Sequence, residues 1–197
     1  MAGSDIHTEK HKLSHMVNGE WVEHSFPPAF ALQVMPYGPR RLVAGVPGGD
    51  PVVFDKLIGC LTGPFFVLYI LHTPRGEGEP GRYQSQQIDS AELQAFLGRF
   101  SPLLTGDARH DLWIHSPGAN ATLVWERHNL IYAYGPLAAY AKALRELGFE
   151  ENAPLEPSFA HSHHYREDFD GLAREILTAL DWRRSALQPE DEQFEAT

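Results

Sequence analysis

The stretch from Leu112 to Phe149 constrains the fold more than any other part of the chain. Its first half contains three apolar runs separated by two short turn-like segments, Pro117 to Asn120 and His128-Asn129. Glycine, proline and asparagine favour tight turns because they adopt or fix backbone angles that other residues avoid. Three apolar runs joined by such turns predict three consecutive antiparallel strands.

The second turn also predicts how two of these strands pair. If His128 and Asn129 form a two-residue hairpin loop, Trp125 lies opposite Tyr132. Residues that lie opposite each other in an antiparallel pair share one face of the sheet. We therefore predict that Trp125 and Tyr132 lie side by side, either stacked on a ligand or packed beneath a helix.

Helical spacing of apolar residues predicts four helices, at about 51–61, 89–101, 136–147 and 167–180. Asp89 and Glu92 have the spacing of a capping box, which marks the start of the second helix. Pro102 should end that helix, because proline cannot continue the backbone hydrogen bonds. Gly148 follows the third helix at a position where glycine is favoured.

The run Pro64 to Leu71, with the sequence PFFVLYIL, is apolar without polar alternation. This pattern is typical of a strand covered on both faces, so we place it in the middle of the sheet. The strands and helices together predict an α+β fold with a mixed, mostly antiparallel sheet of about five to seven strands. The helices should pack mainly on one face of that sheet.

Length and composition predict one folded unit with loose ends. A chain of 197 residues is long enough for one well-buried domain and short for two. We assign residues 26–184 to a single α+β domain. Residues 1–25 are polar and aperiodic, which predicts a flexible N-terminal arm, and residues 185–197 are acidic, which predicts a frayed tail.

The chain carries a formal net charge of −10. The resulting field repels phosphate backbones and attracts cationic surfaces. This argues against nucleic acid as a partner and favours a basic protein. The sequence leaves a homo-oligomer open.

Cys60 is the only cysteine, so no intrachain disulfide can form and a reducing compartment fits best. The N-terminal residues contain no apolar signal-peptide core, and the longest apolar run is far below the ~20 residues that span a bilayer. We therefore expect a cytoplasmic protein without membrane contact.

The segment His161-Ser162-His163-His164 is the most unusual cluster outside the termini. In a strand, His161 and His163 point to the same side and could share zinc or another transition metal. His164 and a carboxylate such as Asp168 or Glu167 are the candidate additional ligands. The alternative is a chance cluster of exposed histidines in a chain that holds 11 of them.

No catalytic residues are predicted, because the sequence contains neither a Gly-x-Ser-x-Gly nucleophile elbow nor a His-Glu-x-x-His motif. His115 and His128 could act as acid and base. Strand alternation explains His115 better, and the turn explains His128 better.

A glycine-rich loop over residues 72–82 offers a candidate ligand site. Arg75 and Arg82 flank its acidic residues and could bind an anion. Residues 76–81 could also form a lid over Trp125 and Tyr132. A solvated hairpin tip is the structural alternative.

These observations support three functional hypotheses. The first is a non-enzymatic binding or regulatory protein, since the surface is acidic and no catalytic motif is present. The second is a metal-dependent hydrolase or lyase that uses His161, His163 and His164. The third is a small-molecule binder with the glycine-rich lid.

Overall fold

The computed structural model describes residues 11–34, 38–152 and 155–191. Within these residues the chain forms twelve strands and four helices. The strands are β1 (Leu13–Val17), β2 (Glu20–Glu23), β3 (Ala29–Val34), β4 (Arg40–Gly45), β5 (Phe66–Leu71), β6 (Gly81–Gln84), β7 (His110–Ser116), β8 (Ala121–Trp125), β9 (Leu130–Tyr134), β10 (Glu150–Glu151), β11 (His161–His163) and β12 (Arg183–Ser185). The helices are α1 (Val52–Ile58), α2 (Ser90–Gly106), α3 (Leu137–Glu146) and α4 (Asp170–Ile176).

Nine strands form one large sheet in the order β10-β3-β4-β9-β8-β7-β5-β6-β12, and β11-β1-β2 form a small second sheet. β10 runs parallel to β3, whereas the other pairs are antiparallel. The predicted α+β class and mixed sheet are confirmed, but the sheet is larger than five to seven strands. Its two outermost strands, β10 and β12, are short and polar, so no apolar pattern in the sequence predicts them.

All four helices contribute to one hydrophobic cluster on a single face of the large sheet. Phe54 of α1, Leu97 of α2, Leu144 of α3 and Ala173 of α4 are buried in it. A smaller cluster lies on the opposite face and includes Tyr132. One face of the sheet therefore carries the main core, and part of the other face is left to non-helical segments.

The apolar run at Pro64 to Leu71 does not form the middle of the sheet. It forms β5, which lies third from one edge. Phe66 and Leu68 are partly exposed on the face opposite the helices, so β5 is not covered on both faces. The central position belongs to β8, which the helix-covered core and the smaller cluster bury on either side.

The predicted register of β8 and β9 is wrong by one residue. Trp125 lies opposite Ile131, and Tyr132 lies opposite Val124. The backbone N–H of Glu126 donates to the carbonyl of Leu130, so the loop holds three residues rather than two. A shift of one residue sends side chains to the other face, so Trp125 and Tyr132 lie on opposite faces of the sheet.

The capping box at the start of α2 is confirmed: Asp89 accepts from the Glu92 N–H and Glu92 accepts from the Asp89 N–H. Pro102 does not end this helix, which continues to Gly106. Leu103 and Leu104 extend its buried face, and their burial offsets the hydrogen bond that proline cannot form. α4 is shorter than predicted.

Both regions predicted to be loose contain ordered structure where the structure describes them. β1 and β2 occupy residues 13–23, and Leu13 is fully buried. Near the other end, Arg82 donates to the buried carboxylate of Asp191. The polar composition of these regions hid the pairing of β1 with β11, which is distant in sequence. Residues 1–10 and 192–197 lie outside the described residues.

None of the helices in the described residues is both long and apolar enough to cross a membrane.

Candidate metal centre

Three histidines from two sheets meet where the small sheet lies beside the hairpin loop of β8 and β9. His128 comes from that loop, and His161 and His163 come from β11. One potential ligand atom from each lies within 4.8 Å of the others. In residues 11–34, 38–152 and 155–191, no other set of three or more His, Cys, Asp or Glu meets this spacing.

Glu126 fixes the position of His128. Its carboxylate accepts from the backbone N–H of His128 at 2.8 Å and from that of Leu130 at 3.3 Å. The other carboxylate oxygen lies 2.5 Å from Nδ1 of His128. Asn129 completes the loop with a φ of 62°, the left-handed conformation that asparagine tolerates. The loop sequence therefore orients the imidazole and directs its Nε2 towards His161.

β11 positions the other two imidazoles. Strand alternation places His161 and His163 on the same side, with exposed Ser162 between them. The strand is fixed by pairing with β1, in which His163 lies opposite Leu13 and His161 opposite His15.

β11 is also tied to the large sheet by the residues that follow it. The Ala108 N–H donates to the carbonyl of His164, and the Arg166 N–H donates to the Asp107 carboxylate at 2.7 Å. These bonds hold β11 beside the connection between α2 and β7. These hydrogen bonds therefore help to fix the position of β11 relative to the large sheet.

The hydrogen bonds assign the tautomers of two of these histidines. Nδ1 of His161 lies 2.8 Å from the carbonyl oxygen of Phe159, and an oxygen of this kind only accepts. Nδ1 of His128 faces the Glu126 carboxylate. Both Nδ1 atoms therefore carry hydrogen, and in the neutral rings both Nε2 atoms are bare. These two Nε2 atoms face each other at 3.2 Å.

His163 adds a third nitrogen to the same space. Its Nε2 is buried and has no hydrogen-bond partner among the described residues. Burial, together with the neighbouring His128, Arg127 and His161, lowers the pKa of His163 to about 3. The imidazole is therefore neutral at pH 7, the form that binds metal.

The spacing of one nitrogen pair in the cluster matches that of two ligands on a transition metal, and the third nitrogen lies within 4.8 Å of them. Two nitrogens bound to one tetrahedral zinc at ~2.0–2.1 Å lie roughly 3.3–3.4 Å apart, close to the observed 3.2 Å. Imidazole ligands suit zinc, copper, iron and nickel, and three histidines without a carboxylate favour zinc over non-haem iron. Glu126 and the Phe159 carbonyl orient two of the ligands as second-shell partners do in known metal sites.

The structure brings together only part of the predicted metal set. His161 and His163 converge, whereas His164 turns away to Ser14 Oγ at 2.9 Å and Glu23 at 3.4 Å. Asp168 is exposed and lies outside the three-residue group. His164 follows His163 directly, so strand alternation sends it to the other face.

The two arginines predicted to bind an anion each pair with a carboxylate of the protein. Arg75 Nε donates to Asp170 at 3.2 Å, and Arg82 donates to Asp191. Glu77, on the loop between them, is also not solvated: its side chain is 1% exposed and accepts from Arg109 at 3.1 Å. The candidate lid is therefore held in place at Glu77.

Arg109 is the centre of a buried ion-pair cluster that we call the Arg109 network. Its guanidinium binds both carboxylate oxygens of Asp107, at 2.8 and 2.9 Å. It also donates to Glu77, to Asp170 and to the carbonyl of Arg166. Arg109 and Asp107 are fully buried, and the network joins the 72–82 loop to α4 and to the start of β7.

Trp125 and Tyr132 do not line a common site, because they occupy opposite faces of the sheet. Trp125 packs against Phe54 of α1, and its indole N–H donates to Asn129. Tyr132 is buried on the other face beneath the Arg41 guanidinium, 4.2 Å from the ring centre. An open groove of about 350 Å³ lies further along that face, lined in part by Trp113 and His115.

The sequence offers His128 as a possible acid or base, or as a turn residue, but does not predict it as a metal ligand. The turn is present, and the His128 side chain lies in the three-histidine cluster. The signal that could have found it is Glu126 two residues earlier, since a carboxylate at that spacing can hold a histidine Nδ1–H and free the other nitrogen.

Comparison with known proteins gave no match among family models, curated proteins or solved structures.

Proposed function

We propose that this protein is a metalloprotein that binds one zinc ion through His128, His161 and His163, and that the ion supports hydrolytic chemistry. The observation that carries the proposal is the 3.2 Å approach of His128 Nε2 to His161 Nε2, in two rings whose Nδ1 atoms each face an acceptor. Two lone pairs facing each other at this distance repel unless a cation lies between them.

A proton is the simplest alternative cation. A proton shared by His128 and His161 would satisfy those two nitrogens, but it would leave the buried Nε2 of His163 without a partner. A metal ion satisfies all three nitrogens at once. Buried polar atoms normally have partners, so the third nitrogen favours the metal.

Three histidine ligands leave one position of a tetrahedral zinc open. Catalytic zinc sites have this composition, whereas structural sites are usually closed by four protein ligands. A water molecule in the open position has its pKa lowered to about 7, which makes it a nucleophile at neutral pH. Glu126 holds the His128 ring in place, as carboxylates do for the histidine ligands of known metal sites.

Calorimetric titration of metal-free, untagged protein with zinc tests the site. We expect one equivalent to bind, and we expect His161→Ala to lose more affinity than the 10- to 100-fold typical of outer-shell changes. His115→Ala is the matched control, since His115 is a partly buried strand histidine outside the cluster. The proposal fails if wild type and His161→Ala take up zinc equally.

Hydrolysis is tested separately with an activated ester and an activated phosphate ester. Zinc-loaded wild type should hydrolyse at least one of them faster than the metal-free protein does, and His163→Ala should lose the difference. Stoichiometric zinc binding without any metal-dependent turnover would retain the site and remove the catalytic role.

A further inference from the structure

The hairpin formed by β1 and β2 carries an unusual amount of exposed apolar surface. Eight large hydrophobic side chains are exposed among the described residues, and four of them lie within residues 16–22. Met16 and Trp21 lie opposite each other on one face, 41% and 54% exposed. Val17 and Val22 lie on the other face. Concentration in one hairpin distinguishes this surface from scattered exposed residues, which need no explanation.

β2 is also an open edge. It pairs with β1 on one side and has no described strand on the other. The His24 N–H donates to the carbonyl of Leu13, so the alternation of the antiparallel ladder turns the backbone groups of Trp21 and Glu23 away from β1. No strand of the described residues pairs with these N–H and C=O groups.

The edge is protected only by its short length and by the charge of two glutamates. Natural edge strands are also blocked by lysine, proline or a bulge, and β2 contains none of these. β2 has the sequence Glu-Trp-Val-Glu and all four residues are exposed. The two-residue turn Asn18-Gly19 has positive φ at both positions, which matches the right-handed twist of the hairpin and holds the edge in an extended form.

We propose that β2 binds an extended, basic and apolar segment of a partner protein, which adds as a further strand to the small sheet. Backbone bonds to Trp21 and Glu23 would give affinity, and contacts with neighbouring side chains would give selectivity. Apolar residues of the partner pack against Met16 and Trp21. Its arginine or lysine side chains lie beside Glu20.

The net charge of the protein favours a basic partner segment over a second copy of the chain. Each copy has a net charge of −10, so two copies repel each other at long range. Glu23 is already within 3.4 Å of His164 and 3.6 Å of Arg166. Glu20 is exposed, so it contributes most of the negative charge that a basic strand meets.

Fluorescence anisotropy with labelled short peptides tests the proposal. A peptide of alternating arginine and valine should bind saturably, and a peptide of alternating glutamate and valine should not bind. Trp21→Ala and Glu20→Lys should each weaken binding of the arginine peptide at least tenfold. Val34→Ala, which truncates an exposed valine on β3, should leave binding unchanged.

The expected thermal unfolding midpoints of Trp21→Ala and Glu20→Lys equal that of wild type, since both side chains are exposed. Three results overturn the proposal. The first is no saturable binding of the arginine peptide up to millimolar concentration. The second is equal binding by wild type and both variants. The third is a dimer in sedimentation that Trp21→Ala abolishes, which would assign the edge to a second copy.

Discussion

The Arg109 network and the three-histidine cluster both place ionisable side chains in buried or partly buried positions beside the large sheet, but the hydrogen-bond partners of these side chains differ. Arg109 donates to two carboxylate oxygens of Asp107, to Glu77, to Asp170 and to a backbone carbonyl. The histidine cluster brings nitrogen acceptors together, and one of them, Nε2 of His163, lacks a donor among the described residues. The first arrangement is complete without a ligand, whereas we propose that the second binds a cation.

This difference predicts that the Arg109 network affects the stability of the fold and that the histidine cluster affects metal binding. Removing one partner from a buried ionic network is costly, because an uncompensated charge stays buried. When hydrogen-bond partners hold a set of acceptor atoms in position, the protein has oriented the ligands before a metal binds. Variants in the two regions should therefore affect different measurements.

The largest expected effect is on stability, at Arg109. Arg109→Met leaves the buried carboxylates of Asp107 and Glu77 without their main cation, so the free energy of unfolding should fall by about 3–5 kcal/mol. Urea unfolding of the metal-free protein measures it. Zinc affinity, measured below the unfolding transition, should not change.

Arg99→Met is the control for this experiment. Arg99 pairs with Glu175, and both side chains are more than half exposed, so its loss should change stability by less than about 1 kcal/mol. A loss at Arg109 no larger than the loss at Arg99 would contradict the role of the network.

The next effect is stabilisation by zinc. Free zinc at 100 times its dissociation constant should raise the free energy of unfolding of wild type by ~2.7 kcal/mol. A variant carrying both His161→Ala and His163→Ala should show no increase. Unfolding curves with and without zinc measure this effect, and equal stabilisation of the two proteins would place the zinc elsewhere.

A smaller change is expected at Glu126. Glu126→Gln keeps an oxygen for the loop N–H groups but removes the charge that orients His128, so zinc affinity should fall roughly 10- to 100-fold. Competition with a chromogenic chelator measures the affinity. Glu150→Gln, at an exposed acid of β10, should bind zinc like wild type. Equal affinity in all three proteins would show that Glu126 does not support the site.

The smallest effect is the pH dependence of the metal-free protein. Burial lowers the pKa of His163 to about 3 and that of His24 to about 4, against about 6.5 in the unfolded chain. Between these values the unfolded chain binds more protons, so stability falls as the pH falls from about 6.5 towards 4. His163→Asn should show a shallower decline in urea unfolding at several pH values. An unchanged slope would contradict a neutral, buried His163.

Local chemistry made much of the fold predictable. The turns at Pro117 to Asn120 and at Asn129 mark the three strands of the central hairpins, and the capping box places the start of α2. The register was not predictable, since a loop of two residues and one of three have the same turn residues. The third loop residue shifts the register by one position and places Trp125 and Tyr132 on opposite faces of the sheet.

The candidate site was half predictable. Strand alternation correctly placed His161 and His163 on one side, and it also removes His164 from the set. His128 lies 33 residues earlier in the chain. The contact of His128 with His161 and His163 depends on the pairing of β11 with β1. That pairing joins distant polar segments, and no local sequence pattern predicts it.

The central claim is that His128, His161 and His163 bind one metal ion, and a crystal structure of the zinc-loaded protein tests it most directly. Anomalous diffraction collected on both sides of the zinc absorption edge locates the ion independently of any model. We predict one peak at ~2.0–2.1 Å from a ring nitrogen of each histidine. No peak between the three rings, or a peak beside His15 and His24 instead, would contradict the claim.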